Sequence, residues 1–253
     1  MELKIDLGSV SYGKRTVLRD VSFTVPSGSF TAVIGRNGCG KSTLLYALCG
    51  LIPYEGSVLL DGCELMTLSR RERARRIAIM LQQTKAPHIT VSELVALGRS
   101  PHIGMGKRMS ETDIESIENA IRDAELSDIR ASFADRISGG ELRRSYLGMA
   151  LAQETPVLLL DEATAFLDTD REMRFLNMID KKRRESGRTV ISVMHDLSAA
   201  VKYADRILLI DKCGVAFFGD ASALLATDLI ERTFSVKRFT ALCDGEERTF
   251  FSS

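Results

Sequence analysis

Residues Gly35-Arg36-Asn37-Gly38-Cys39-Gly40-Lys41-Ser42-Thr43 follow the pattern G-x-x-x-x-G-K-[ST], and their chemistry is that of gripping a phosphate chain. Glycines at 35, 38 and 40 give the backbone conformations closed to other residues, so that successive N–H groups can face one anion. A helix beginning there adds its positive end. Lys41 is placed to reach the β- and γ-phosphate oxygens, and the Ser42 hydroxyl to ligate Mg²⁺. The flanks separate this reading from a ligand-free glycine turn: the apolar run Phe30 to Ile34 leads in and the helical stretch Thr43 to Cys49 leads out.

Two further strand ends carry useful groups. The apolar run Val157 to Leu160 reads as a central parallel strand and ends in Asp161-Glu162, and Thr189 to Met194 ends in His195-Asp196. Parallel α/β sheets bind ligands at the carboxyl ends of their strands, so the three ends are expected to converge. Asp161 is suited to hold Mg²⁺ through its water shell, and Glu162 to polarise the attacking water as a general base. His195 is placed to bond the γ-phosphate and help position the water.

A second anion-binding surface is written in Ile137-Ser138-Gly139-Gly140-Glu141. Ser138 with Glu141 three residues on makes a capping box. A capping box does not need two glycines, and bare N–H groups at a helix start attract an anion.

The elements that must position these residues follow in order. Short alternating strands at Leu3 to Leu7, Val21 to Val25 and Phe30 to Ile34 are separated by turns at Tyr12-Gly13-Lys14 and Pro26-Ser27-Gly28, and Gly56 to Gly62 reads as a strand closed by an Asp-Gly turn. An antiparallel β portion therefore flanks the loop. Arginines 70, 71, 73, 75 and 76 read as a solvated helix face rather than a nucleic-acid site, because the run is short and lacks aromatics for stacking. Ile77 to Leu81 is a buried strand ending at Gln82-Gln83. Helices are expected over 91–98, 111–125 with Ser110 as N-cap, and 141–153. The second half alternates strand and helix, with a last strand at Ile207 to Ile210, a helix over 221–231 and a tail without an assigned element.

The chain has 253 residues, with 34 basic and 34 acidic side chains, so no global charge draws it to nucleic acid. Cysteines at 39, 49, 63, 213 and 243 form no C-x-x-C pair and no zinc spacing, which suggests a reducing compartment. The first residues alternate like a strand rather than a secretory leader, and no apolar run nears the roughly 18 residues of a membrane helix. A cytosolic protein reaching the membrane only through a partner is expected.

Taken together these motifs resemble the nucleotide-binding subunit of ABC transporters over nearly the whole chain. Gly35 to Thr43 matches that family's Walker A motif, Val157 to Glu162 its Walker B motif with the catalytic glutamate, and Ser138-Gly139-Gly140-Glu141 its signature motif. Gln82 fits the Q-loop, which adds a Mg²⁺ ligand and a catalytic role. Phe166-Leu167-Asp168 fits the D-loop, His195 the switch histidine, and Tyr12 the aromatic that stacks on adenine. The departures are Ile137 for Leu, Glu141 for Gln, Leu81 for the common Pro, and Ala163 for the usual Pro; none removes a catalytic group.

The resemblance implies an α/β fold: a RecA-like P-loop NTPase core with a parallel sheet, an antiparallel β subdomain and a helical insertion. One ABC ATPase domain over 1–253 is expected, with 1–84 and 154–222 as nucleotide-binding core and β subdomain, 85–153 as helical subdomain, and 223–253 as C-terminal extension. It also implies a head-to-tail dimer trapping ATP and Mg²⁺, each ATP between one subunit's Walker A and the signature residues of the second copy. Asp168 would communicate across that interface, and integral membrane permease subunits would receive the motion, with a substrate-binding protein acting indirectly and no nucleic acid involved. The expected location is peripheral, on the cytoplasmic face of the inner (plasma) membrane.

The segment Val91 to His102 is similar to that of ATPases serving uptake of iron-siderophore, haem and cobalamin complexes. Ferric siderophore or haem ranks first and cobalamin second. An exporter subunit is disfavoured by this resemblance. A nucleotide-gated clamp on DNA or ribosomes usually carries two cassettes or a long coiled coil. A P-loop kinase or GTPase leaves Ser138 to Glu141 and His195 unexplained.

Overall fold

The computed structural model describes residues 2–82, 85–104, 107–165, 167–243 and 246–252. The chain opens with β1 (Leu3–Tyr12), whose alternation of buried and exposed residues fits a sheet with one covered face, and returns as β2 (Arg15–Val25). β3 (Phe30–Gly35) is buried at every position, as a central strand must be. α1 (Lys41–Leu48) follows, then β4 (Tyr54–Leu60) and β5 (Cys63–Glu64), joined by Asp61 (φ 49°) and Gly62 (φ 76°) in the left-handed pair that suits a tight hairpin.

Next come α2 (Arg70–Ala74), β6 (Ile77–Met80), α3 (Val91–Ala96), α4 (Glu111–Asp123) and α5 (Gly139–Ala152). Each of these four helices starts on a capping box, from Ser69, Thr90, Ser110 and Ser138. β7 (Val157–Asp161), α6 (Thr169–Ser186), β8 (Thr189–Val193), α7 (Leu197–Tyr203), β9 (Arg206–Asp211) and β10 (Gly214–Gly219) continue the alternation. The chain ends in α8 (Ala221–Leu225), α9 (Leu229–Phe234), β11 (Lys237–Cys243) and β12 (Glu246–Ser252).

Two compact units emerge, Met1–Thr67 with Thr189–Ser253, and Leu68–Arg188. The first holds the antiparallel sheet β2-β1-β4-β5 and strands in the order β10-β9-β3-β8, with β3 parallel to both neighbours and β10 an antiparallel edge. Leu3, Ile5, Val58, Phe30, Val33, Leu44 and Leu208 lie fully buried there. The second unit pairs β6 parallel to β7 and gathers α3, α4 and α5 around Val95, Ile121 and Leu147. The architecture is the α/β P-loop fold expected, with an antiparallel portion and a helical part.

Three local differences have physical reasons. The helix expected over 221–231 is two helices, because the Thr227 hydroxyl donates to the Leu224 carbonyl at 2.7 Å and accepts from the Leu229 N–H at 3.3 Å, replacing helical bonds at that point. The tail forms the β11–β12 ribbon, in register from Lys237↔Ser252 to Cys243↔Glu246. The arginine run is not simply solvated: Arg71 donates to the carbonyls of Pro101 and Ile103 at 2.8 and 2.5 Å, and Arg75 to Pro101 at 2.8 Å, docking one loop on α2.

Candidate functional site

In the first unit the phosphate loop is built on β3. Gly35 has φ 156°, and a Cβ there would meet the Ile210 carbonyl oxygen at 2.4 Å, so no other residue fits where the strand turns out. Gly40, the N-cap of α1, has φ 111°. Beyond it Lys41, only 5 % exposed, donates to the carbonyls of Gly35 at 2.8 Å and Arg36 at 3.1 Å. The loop thus folds around its own ammonium, while Arg36, Asn37 and Gly38 stay exposed, Ser42 is half-buried and Thr43 buried.

Cys39 sits inside this turn, its amide donating to the Arg36 carbonyl at 3.2 Å. Burial pushes its thiol up, against the pull of Lys41. Val33 pairs with Val193 in the parallel register, so Gly35 and His195 each stand two residues beyond that pair, at one end of neighbouring strands. His195 is exposed, next to Asp196, whose carboxylate caps α7 by accepting from Ser198 at 2.7 Å and Ala199 at 3.1 Å. Tyr12 ends β1 and is 48 % exposed.

In the second unit the same logic of register brings Gln82 to Glu162. Met80 pairs with Leu160, and Gln82 and Glu162 each stand two residues beyond that pair. The Gln82 amide donates to the Glu162 carboxylate. Asp161 is fully buried at the end of β7, and Glu162 adopts φ +50°, an unusual backbone for a residue with a side chain. That turn directs Glu162 differently from the strand before it.

Sequence reasoning missed Arg143. Its guanidinium donates to the carbonyls of Ala163 at 2.9 Å and Glu162 at 3.3 Å, and partial burial lowers its pKa. It missed Arg99 as well, which pairs with Asp113 at 2.9 Å and Glu154 at 2.9 Å and donates to the Ala152 carbonyl at 2.8 Å. The burial of Arg99 between helices had no local signal, although Arg143 stands only two residues past Glu141.

Ser138 caps α5 as the sequence predicts: its hydroxyl accepts from the Glu141 N–H at 3.3 Å, and Glu141 accepts from the Ser138 N–H at 2.8 Å. The Ser138 hydroxyl, which also donates to the Glu141 carboxylate at 2.7 Å, then the Ser138 amide, with Arg144 and Arg171 nearby, hold that carboxyl below its usual range. A Cβ on Gly139 would touch nothing within 4 Å, and one on Gly140 would come no closer than 3.8 Å to any neighbour. Neither glycine is demanded by the packing of this chain. Asp168 caps α6, accepting from the Arg171 N–H at 2.9 Å, while Phe166 of the same motif lies outside the described residues, as does Gln83.

Among the described residues no group of three or more His, Cys, Asp or Glu side chains forms a metal cage. Mg²⁺ does not require one, since it commonly takes one or two protein oxygens and completes its shell with water and substrate phosphates. The Ser42 hydroxyl in the first unit, and the Asp161 carboxylate and Gln82 amide oxygen in the second, are each hard oxygen donors whose chemistry suits that ion.

Comparison with known proteins gives the same reading. Residues 18–165 match the family model described as ABC transporter. The chain is 37% identical over 231 residues to the ferric enterobactin transport ATP-binding protein FepC of Escherichia coli (strain K12), covering 90% of this chain and 85% of that one. It is 40% identical over 222 residues to the hemin import ATP-binding protein HmuV of Nocardia farcinica (strain IFM 10152), covering 87% and 76%. The ADP conformation of MJ1267, an ATP-binding cassette of an ABC transporter, superposes with a TM-score of 0.81 over 93% of this chain and 99% of that one at 22% identity, a likeness of fold. The chain therefore belongs to the ABC transporter family, as one of its ATP-binding subunits.

Proposed function

We propose that this chain hydrolyses ATP to drive import of an iron-siderophore or haem complex, working as a dimer with a second copy of itself against integral membrane permease subunits. It acts as a peripheral subunit on the cytoplasmic face of the inner (plasma) membrane, with a substrate-binding protein delivering the cargo. The similarity to FepC and HmuV, spanning most of each chain, is the observation that carries the cargo class. No described helix is long and apolar enough to cross a membrane.

The loop from Gly35 to Thr43 binds the phosphates, Lys41 supplies positive charge, and Tyr12 offers a ring for the adenine. Mg²⁺, when bound, neutralises charge on the β- and γ-phosphates. Ser42 and Gln82 would hold it, with Asp161 acting through its water shell. Glu162 takes the proton of the attacking water, and His195 holds the γ-phosphate. The open space at Gly139 and Gly140 supports their use by something outside the chain, namely the ATP of the second copy. Asp168 lies in the segment that would pass the state of one site to the other.

Two measurements on the purified membrane complex test this reading. Vesicles containing the chain and its permease should accumulate radio-iron as a ferric siderophore, or haem, only with ATP inside the accessible compartment. Vesicles that hydrolyse ATP yet accumulate neither cargo would contradict it.

A further inference from the structure

We infer that Arg143 is a positioning residue for hydrolysis, holding from the signature helix the turn that aims Glu162. The inference rests on the reading of Glu162 as the base and extends it to a residue that touches neither nucleotide nor water.

Four observations lie in one unit. β7 leaves its ladder with β6 at the pair Met80↔Leu160, so the backbone after Asp161 has no strand partner from β6 to fix it. Glu162 then takes φ +50°, a conformation that persists in a residue with a Cβ only where surroundings enforce it. The enforcing contacts are visible: Ala165 donates to the Glu162 carbonyl at 3.0 Å, and Arg143 donates through one nitrogen to the carbonyls of Glu162 and Ala163 at 3.3 and 2.9 Å. The Glu162 carboxylate, aimed by that turn, meets the Gln82 amide.

Arg143 belongs to α5, the helix whose first turn carries Gly139, Gly140 and Glu141 and whose cap is Ser138. A guanidinium partly withdrawn from water makes stronger hydrogen bonds than an exposed one, and here both go to backbone carbonyls flanking the base. Any shift of α5 when its first turn engages an anion therefore reaches the Glu162 backbone through two hydrogen bonds. A misplacement of about 1 Å at a reacting group can cost on the order of 100-fold in rate, so the loss of this clamp should read in turnover rather than in binding.

The test is a set of variants in the purified chain, with hydrolysis measured under single-turnover conditions and ATP binding measured separately. Arg143→Met should lower the hydrolysis rate by about tenfold while the Kd for ATP stays within about twofold, as expected when geometry alone is disturbed. Arg143→Lys, which keeps a donor and guards against a misfolded Met variant, should recover part of the rate. In the Glu162→Gln background, Arg143→Met should lower the residual rate no further, because a positioning residue has nothing left to position. Wild-type hydrolysis in Arg143→Met beside a dead Glu162→Gln would overturn the inference and leave Glu162 as base. An equal loss from Arg143→Met in both backgrounds would overturn it too, and wild-type hydrolysis in Glu162→Gln would remove the reading it rests on.

Discussion

The Lys41 ammonium donates to the carbonyl oxygen of Gly35 at 2.8 Å, so the side chain that closes the phosphate loop is tied to the residue that opens it. The bond keeps a buried charge satisfied and the loop in one shape. Lys41→Ala should weaken MgATP binding by roughly 100-fold, since hydrogen bonds to charged groups contribute about 1.5–3 kcal/mol each. Calorimetric titration with MgATP checks this, and affinity equal to wild type would mean the loop is not the phosphate site.

Cys39 gives an orthogonal probe of the same loop. Burial raises its thiol pKa, so thiolate is scarce at neutral pH and alkylation should be slow there, accelerating as the solution becomes alkaline. Modified Cys39 should exclude ATP, and bound ATP should protect the thiol. Mass spectrometry of the Cys39 peptide separates it from the exposed Cys213. Undiminished ATP binding after confirmed Cys39 modification would contradict the prediction.

Gly139 separates function from stability. Because a Cβ there meets nothing within 4 Å, Gly139→Leu should leave the melting temperature unchanged or raise it, helix propensity favouring the change by about 0.5–1 kcal/mol. Hydrolysis should nevertheless fall, since the added bulk would stand where the proposed dimer brings the second copy's ATP. Full activity in a well-folded Gly139→Leu protein would show that α5 begins on a helix cap and nothing more.

The Arg99–Asp113 pair fixes a pH limit on stability. Hydrogen bonds from the Ser110 hydroxyl and amide, and then from Arg99, lower the Asp113 pKa from 3.8 to about 2. A depressed folded pKa contributes stability that is complete above 3.8 and is lost as pH falls toward 2. Asp113→Asn should cost about 3 kcal/mol near neutrality by leaving buried Arg99 short of a partner, and the variant should lose less than wild type on acidification. Urea unfolding at pH 7 and pH 3 reads both effects; an unchanged midpoint at pH 7 would refute the prediction.

Much of the site was legible because its signals are local. The loop from Gly35 to Thr43 and the cap of Ser138 by Glu141 are decided by residues within a few positions of one another. The register that sets Gln82 beside Glu162 is not local: it follows from Met80 pairing with Leu160 across 80 residues of sequence, which apolar runs alone do not specify. Arg143 was hidden because its acceptors are backbone carbonyls, which carry no residue signature.

The strand β10 escaped for a different reason. Its turn puts Lys212 (φ 46°) and Cys213 (φ 71°) in the left-handed region, and neither residue type advertises such a turn. The ribbon β11–β12 did carry a signal, the Asp244-Gly245 pair between two runs, but those runs are too mixed in polarity to read as strands.

The most direct test of the account is hydrolysis and nucleotide retention in Glu162→Gln, measured on one sample with MgATP. Binding at wild-type affinity, a hydrolysis rate lowered by roughly 10²- to 10⁴-fold, and ATP rather than ADP recovered from the protein are the results expected on removing a general base. Hydrolysis at the wild-type rate would contradict the assignment of Glu162 and with it the proposed chemistry of the site.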